Sequence, residues 1–260
     1  MPVRLHHDIH GSSAAEVLVL SGSLGSTIEM WDPNLSALAA RFLVVRLDHR
    51  GHANSPTPSG PCCIDDLAED VLCTLDGLGI ERFAWCGLSM GGMIGMVMAR
   101  RWPGRLSALV LCCTSAAVRD TSVWTDRARR VADSGTAALA AEIVDRWFTP
   151  RWARHHPSEL ERARAWVSNT ADNAYRQCCE AIADWDFVEQ LPAIGTPTLV
   201  IAGRHDQATP IDPDARILAS RIPHARLEIL DAAHLATMEQ PDAANRLISN
   251  HVRPNALRRP

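Results

Sequence analysis

Residues 85–92 read WCGLSMGG, and how this stretch is understood decides the fold of the whole chain. A serine stands between glycines, directly after the apolar run FAWCG (83–87) and directly before GGMIGMVMARR (91–101). Ordinary core packing would favour larger side chains at positions 87, 91 and 92. G-x-S-x-G explains them, because its serine occupies a sharp, strained turn from strand to helix. Glycines two residues before and after Ser89 remove side chains that would collide as the helix folds back on the strand. The turn lifts the hydroxyl clear of the sheet and sets it at a helix N-terminus. There the Met90 N–H is placed to meet a developing oxyanion.

Working outward, short apolar runs ended by turn residues recur along the chain. EVLVLSG (16–22), FLVVRLDHRG (42–51), LSALVLCCT (106–114), TPTLVIAGRHD (196–206) and ARLEILDAAH (225–234) join the run before Ser89. They are nearly continuous rather than alternating, as strands covered on both faces should be. Helical stretches are expected between them at 64–79, 91–102, 212–221 and 239–251, with Asp65 or Asp66 capping the first and Gly79 ending it. The expected fold is α/β, a mostly parallel central sheet with helices on both faces. From 117 to 191 no good strand occurs, while Trp124, Trp147, Trp152, Trp166 and Trp185 lie among helix-forming residues. That stretch reads as a helical cap inserted between two strands, dividing a core of residues 1–116 and 192–260. Sitting above the carboxyl edge of the sheet, it would form a lid over a pocket.

Composition narrows the function. With 260 residues, 47% of them hydrophobic, the chain can bury a sizeable core. A formal net charge of −4 argues against a nucleic-acid partner. All 26 cationic residues are arginine, so a lysine Schiff base and a Walker-type phosphate loop are excluded. Six of the eight cysteines form adjacent pairs, a spacing that suits neither a disulfide framework nor a zinc site. Cys86, Cys112 and Cys113 fall in apolar runs and read as core residues. The start, MPVRLHHDIHG, lacks an apolar signal segment, and no run reaches the ~18 residues of a membrane helix. A soluble, cytoplasmic protein with no membrane partner is expected. Oligomeric state is not legible.

A serine hydroxyl needs a base near neutral pH, and the base needs an orienting carboxylate. After a G-x-S-x-G turn the chain order is Ser, Asp or Glu, His. Asp206 follows the strand at 198–203 and His234 the strand at 226–230, which places both at strand carboxyl ends with Ser89. Asp231 and His205 are weaker alternatives. His6, His7, His10, His155 and His156 fall in polar, exposed-looking segments. The second oxyanion donor is expected from the loop SGSLGST (21–27), either at Ser23 or at Leu24. DHRGHANS (48–55) is a further loop at the same edge.

Together these residues resemble the α/β-hydrolase family and, more narrowly, the 3-oxoadipate enol-lactonases. SGSLGST followed by MWD, RLDHRGHANS, GLSMGGMIGM, YRQCCEAIADWDF, TPTLVIAGRHDQATP and AAHLATMEQPD carry the narrower likeness, over residues 15–250. Two positions depart from that family: Ala53 replaces the usual glycine of R-G-H-G, and Gly22 stands where asparagine is frequent. The resemblance implies a cofactor-free, metal-free serine hydrolase. It would open a five-membered enol-lactone bearing a carboxymethyl group, through an acyl-enzyme on Ser89. The substrate carboxylate wants a cation. Arg127, beside Trp124, is the preferred candidate, with Arg129 and Arg130 behind it. Carboxylesterases, carbon–carbon bond hydrolases and perhydrolases share the same triad, and a non-catalytic receptor could share the fold.

Overall fold

The computed structural model describes residues 1–252. Seven strands form one sheet: β1 (His7–His10), β2 (Val17–Ser21), β3 (Leu43–Leu47), β4 (Phe83–Leu88), β5 (Leu106–Cys112), β6 (Thr198–Gly203) and β7 (Arg226–Leu230). Their spatial order is β1-β3-β2-β4-β5-β6-β7, and every pairing is parallel except β1 against β3. The six apolar runs became the six parallel strands. In β4 and β6 every residue is buried, as expected of central strands covered on both faces. At the β7 edge Arg226, Glu228 and Ile229 reach solvent.

The chain leaves β2 for β3 on one side, then crosses back to place β4 on the other side of β2. The carboxyl ends of β2 and β4 are therefore a topological switch point, where open α/β sheets bind ligands. Ser23 follows one of these strands and Ser89 the other.

Helices flank the sheet. α1 (Asp32–Ala39) packs with the last helix of the described chain, while α2 (Ile64–Asp76) packs against α3 (Met90–Arg101). Between β5 and β6 run α4 (Thr121–Val144), α5 (Pro150–His155), α6 (Pro157–Ser168) and α7 (Asp172–Ala183). α8 (Arg216–Arg221), α9 (Ala236–Glu239) and α10 (Pro241–His251) complete the set. No described helix is long and apolar enough to cross a membrane.

The ends of the helical insertion meet. Phe187 N–H donates to the Ala116 carbonyl at 2.7 Å and Val118 N–H to the Trp185 carbonyl at 3.0 Å. Within it, α4 breaks at Gly135, where φ is 77°. Asp172 at the start of α7 then caps the second half, its Oδ1 accepting from Thr136 N–H at 2.7 Å. An added Cβ at Gly135 would enter the left-handed region and lie 3.2 Å from Asp172 Oδ2. Gly135→Ala is therefore expected to cost about 1–2 kcal/mol. Urea unfolding checks this, and an unchanged midpoint would contradict the packing described.

Several local expectations need correction. β1 was not anticipated: HDIH has one aliphatic residue, and pairing with β3 holds it in place. Nor was α1, an eight-residue helix opening on Asp-Pro. α2 is capped at Cys63 rather than at Asp65 or Asp66. Asp66, its third residue, reaches back to Cys63 N–H at 2.8 Å. It stops at Asp76, and Gly79 (φ 70°) turns the chain afterwards instead of ending the helix. The 212–221 helix begins only at Arg216, and the 239–251 stretch divides into α9 and α10. His6 lies at the base of the edge strand and pairs with buried Asp48 at 2.7 Å.

Candidate active site

The turn after β4 has the geometry its glycines foretold. Ser89 adopts φ 56°, ψ −116°, a region worth about 1–3 kcal/mol of strain that surrounding structure must hold. Four hydrogen bonds hold it. Ser89 N–H donates to the Cys112 carbonyl at 2.9 Å, while the Ser89 carbonyl accepts from Thr114 Oγ1 at 2.8 Å, Gly92 N–H at 2.8 Å and Met93 N–H at 3.2 Å. A Cβ on Gly87 would stand 2.0 Å from the Gly91 carbonyl oxygen, and one on Gly91 would stand 2.5 Å from the Ser21 carbonyl oxygen. Backbone fills both places, so neither glycine has a tolerable substitute.

Gly91 N–H donates to the Gly22 carbonyl at 3.0 Å, fixing the start of α3 to the loop after β2. In that loop Gly25 N–H donates to His52 Nε2 at 2.9 Å, and Ser26 N–H to the Ser23 carbonyl at 3.1 Å. Among the described residues, the N–H groups of Ser23, Leu24 and Met90 have no protein acceptor. These three are free to turn toward a negatively charged oxygen. They are the residues named from the sequence, and Ser23 and Leu24 remain equivalent choices.

The 48–55 loop braces this arrangement from behind. His49 Nε2 donates to the Gly22 carbonyl at 3.0 Å, and His52 Nδ1 donates to the Arg50 carbonyl at 2.9 Å. Burial pushes His49 down to about 4 and His52 down to about 3, so both stay neutral and keep these tautomers near neutral pH. Ala53, in place of the family's glycine, holds φ 45°.

Asp206 and His234 come together after β6 and β7. His234 Nδ1 donates to Asp206 Oδ2 at 2.9 Å, and both residues are only 4% exposed. Asp206 Oδ2 also accepts from Thr209 Oγ1 at 2.7 Å, and its Oδ1 from the N–H groups of Ala208 and Thr209 at 2.8 and 3.1 Å. Burial would raise this carboxyl's pKa, but the His234 charge and the His234 and Thr209 hydrogen bonds outweigh it and hold it below the usual carboxylate range. The alternative pair is joined elsewhere. His205 Nε2 and Asp231 Oδ1 meet at 3.0 Å in an exposed contact.

Ser89 and His234 open into one cavity of about 240 Å³, whose wall includes Ser23, Leu24, Trp124 and Arg127. Among the described residues no hydrogen bond joins Ser89 to His234. With Nδ1 donating to Asp206, the His234 Nε2 lone pair is left to accept, and such contacts commonly tighten only with substrate present. The loop carrying His234 is tied to the helical insertion on both sides. Leu235 N–H donates to the Trp147 carbonyl at 2.9 Å, while the Glu239 carboxylate accepts from Ala233 N–H at 2.8 Å and Thr149 Oγ1 at 2.7 Å.

Of the three arginines named from sequence, only Arg127 lines the cavity, its guanidinium carbon 4.6 Å from the Trp124 ring centroid. Arg129 pairs with Asp126 and Asp133, and Arg130 with Glu142, so neither stands behind Arg127 as a reserve. The cavity wall also takes in Trp147 and Tyr175, and with them Arg119, Arg146 and Asp214, three residues that sequence reading did not single out. Burial raises Asp214 to about 6, against the opposing pull of Arg119. Thr209 did carry a signal: a threonine three residues after an aspartate can donate its hydroxyl and N–H back to that carboxylate.

The α/β-hydrolase fold model matches residues 16–241. The chain belongs to the α/β-hydrolase family. This hydrolase is 35% identical over 246 residues to the 3-oxoadipate enol-lactonase 2 of Acinetobacter baylyi, covering 95% of this chain and 92% of the relative. It is 30% identical over 255 residues to a Caulobacter protein named as a carbamate hydrolase, RutD, covering 95% and 94%. The crystal structure of the enol-lactonase from Burkholderia xenovorans LB400 superposes on it with a TM-score of 0.93 at 38% identity, covering 95% of this chain and 96% of that one.

Proposed function

We propose that this hydrolase opens a carboxylated enol-lactone, converting 3-oxoadipate enol-lactone and water to 3-oxoadipate, with Ser89, His234 and Asp206 as catalytic triad. The observation that carries the proposal is the buried hydrogen bond to Asp206 from His234, whose ring lines the same cavity as Ser89 in its left-handed turn. The enol-lactonase relatives support the substrate class.

In this reading Ser89 Oγ attacks the lactone carbonyl while His234 Nε2 takes its proton. Met90 N–H and an N–H of Ser23 or Leu24 hold the tetrahedral oxyanion. The ring C–O bond breaks, His234 returns the proton to the enol oxygen, and the enol, still tethered through the carbon chain of the acyl-enzyme, becomes a ketone. Water activated by His234 then adds to the acyl carbon, and the Ser89 ester bond breaks. The helical insertion acts as a lid that carries specificity.

Arg127 binds the substrate carboxylate. Arg127→Ala is expected to raise KM for the charged lactone by about 10–100-fold, the worth of a charge-assisted hydrogen bond, with little change for a neutral ester. Equal changes for both substrates would contradict that role. The proposal itself is tested by the loss of enol-lactone absorbance on adding pure protein, beside a p-nitrophenyl acetate control. Turnover of lactone is the expected result. Ester turnover with an untouched lactone would favour a carboxylesterase, and carbamate cleavage with an untouched lactone would favour the RutD-like alternative.

A further inference from the structure

The cavity above Ser89 adjoins a second one, of about 410 Å³, and the two share Arg146 and Gln207 in their walls. Arg146 follows the C-terminal end of α4, and Gln207 follows Asp206 directly. Every carboxylate lining either cavity already has a partner. Asp120 caps α4 through Ser122 N–H, Asp214 pairs with Arg119 at 3.0 Å, and Asp145 pairs with Arg164 at 3.0 Å. The nearby Glu142 is taken by Arg130 at 2.6 Å. Among the described residues, Arg127 and Arg146 are the arginines of the first cavity with no carboxylate partner. Two unpaired guanidinium groups face a substrate that carries one negative charge.

The reaction resolves the mismatch. Breaking the lactone C–O bond and adding one water yields a carboxylic acid at the former acyl carbon, which releases one proton near neutral pH. A monoanion enters and a dianion leaves. The new carboxylate is born at Ser89, beside the Asp206–His234 pair, and not at the end of the molecule that Arg127 holds.

We propose that Arg146 is a binding residue for this second carboxylate, drawing the product's new anionic end off Ser89 toward the second cavity, so that dicarboxylates compete for the site better than monocarboxylates of equal length. The inference rests on the enol-lactone reading but predicts binding that can be measured without the lactone. Arginine suits the role, since its planar fork meets a carboxylate through two donors at once.

The test measures Ki of adipate and of hexanoate against p-nitrophenyl acetate turnover, at fixed ionic strength, in wild type, Arg146→Ala, Arg146→Lys and Arg127→Ala. Wild type is expected to show competitive inhibition with adipate tighter by about fivefold or more, and Arg146→Ala to bring the ratio near unity. Arg146→Lys should keep a preference for adipate, because the charge is restored, and Arg127→Ala should weaken both acids. An unchanged ratio in Arg146→Ala, no dicarboxylate preference in wild type, or non-competitive inhibition would overturn the proposal. Lactone turnover with a flat ratio removes Arg146 alone. An untouched lactone with the expected ratios removes the substrate assignment and leaves the dicarboxylate site standing.

Discussion

Ser89→Ala is expected to lower turnover of lactone and ester alike by about 10⁴–10⁶-fold, while the protein keeps its unfolding midpoint. In the proposed mechanism the loss is large because Ser89, His234 and Asp206 act as one unit. Without Oγ there is no acyl-enzyme, and only cavity binding and the backbone donors at 23, 24 and 90 remain. Stability holds because alanine occupies the same left-handed turn at the same strain, and the four hydrogen bonds to Ser89 use its backbone. Steady-state rates in a stopped assay, with circular dichroism melts as control, check both halves. A residual rate within tenfold of wild type would mean that another group performs the chemistry.

Asp206→Asn should cost about 10³–10⁴-fold in kcat with a small change in KM. The amide cannot accept the Nδ1 proton and at the same time keep every bond that the carboxylate makes. It favours the imidazole tautomer that presents N–H, not a lone pair, to Ser89. Stability follows the same bond. Asp206 titrates below its unfolded value in the native state, so its contribution is present above the unfolded carboxylate range and is lost as pH falls through the depressed native value. The variant should therefore be less stable than wild type by about 1–3 kcal/mol at pH 7, with the difference held down to about pH 5 and closing below about pH 4. Urea titrations at three pH values measure it. A gap that widened on acidification would reverse the sign of the account.

Much of this was legible in the residues. Nearly continuous apolar runs such as TLVIAG and LSALVLC read as strands buried on both faces, and their regular return with helical stretches between points to a parallel sheet. Gly87 and Gly91 around Ser89 announced backbone filling the space a side chain would need, and Gly92 makes room for the Thr114 side chain. Asp206 and His234 were legible because each follows a strand at the edge where Ser89 sits. β1 was not, since HDIH has no run of its own and exists only through its pairing with β3. Arg146 was hidden for another reason. What marks it is a place in the cavity wall together with the absence of a carboxylate partner, and both are set by packing between α4, α6 and the loops rather than by spacing. Glu239 likewise looks like an ordinary helix-end acid until its bonds to Ala233 and Thr149 are seen.

The central claim is that the Ser89 oxygen becomes a nucleophile under the His234 imidazole. Treating native protein with a fluorophosphonate and mapping the adduct by peptide mass spectrometry tests it most directly. The account predicts a single modified peptide carrying Ser89, with labelling abolished in Ser89→Ala and strongly slowed in His234→Ala. An unlabelled wild type, or an adduct on any other serine that persists in Ser89→Ala, would contradict it.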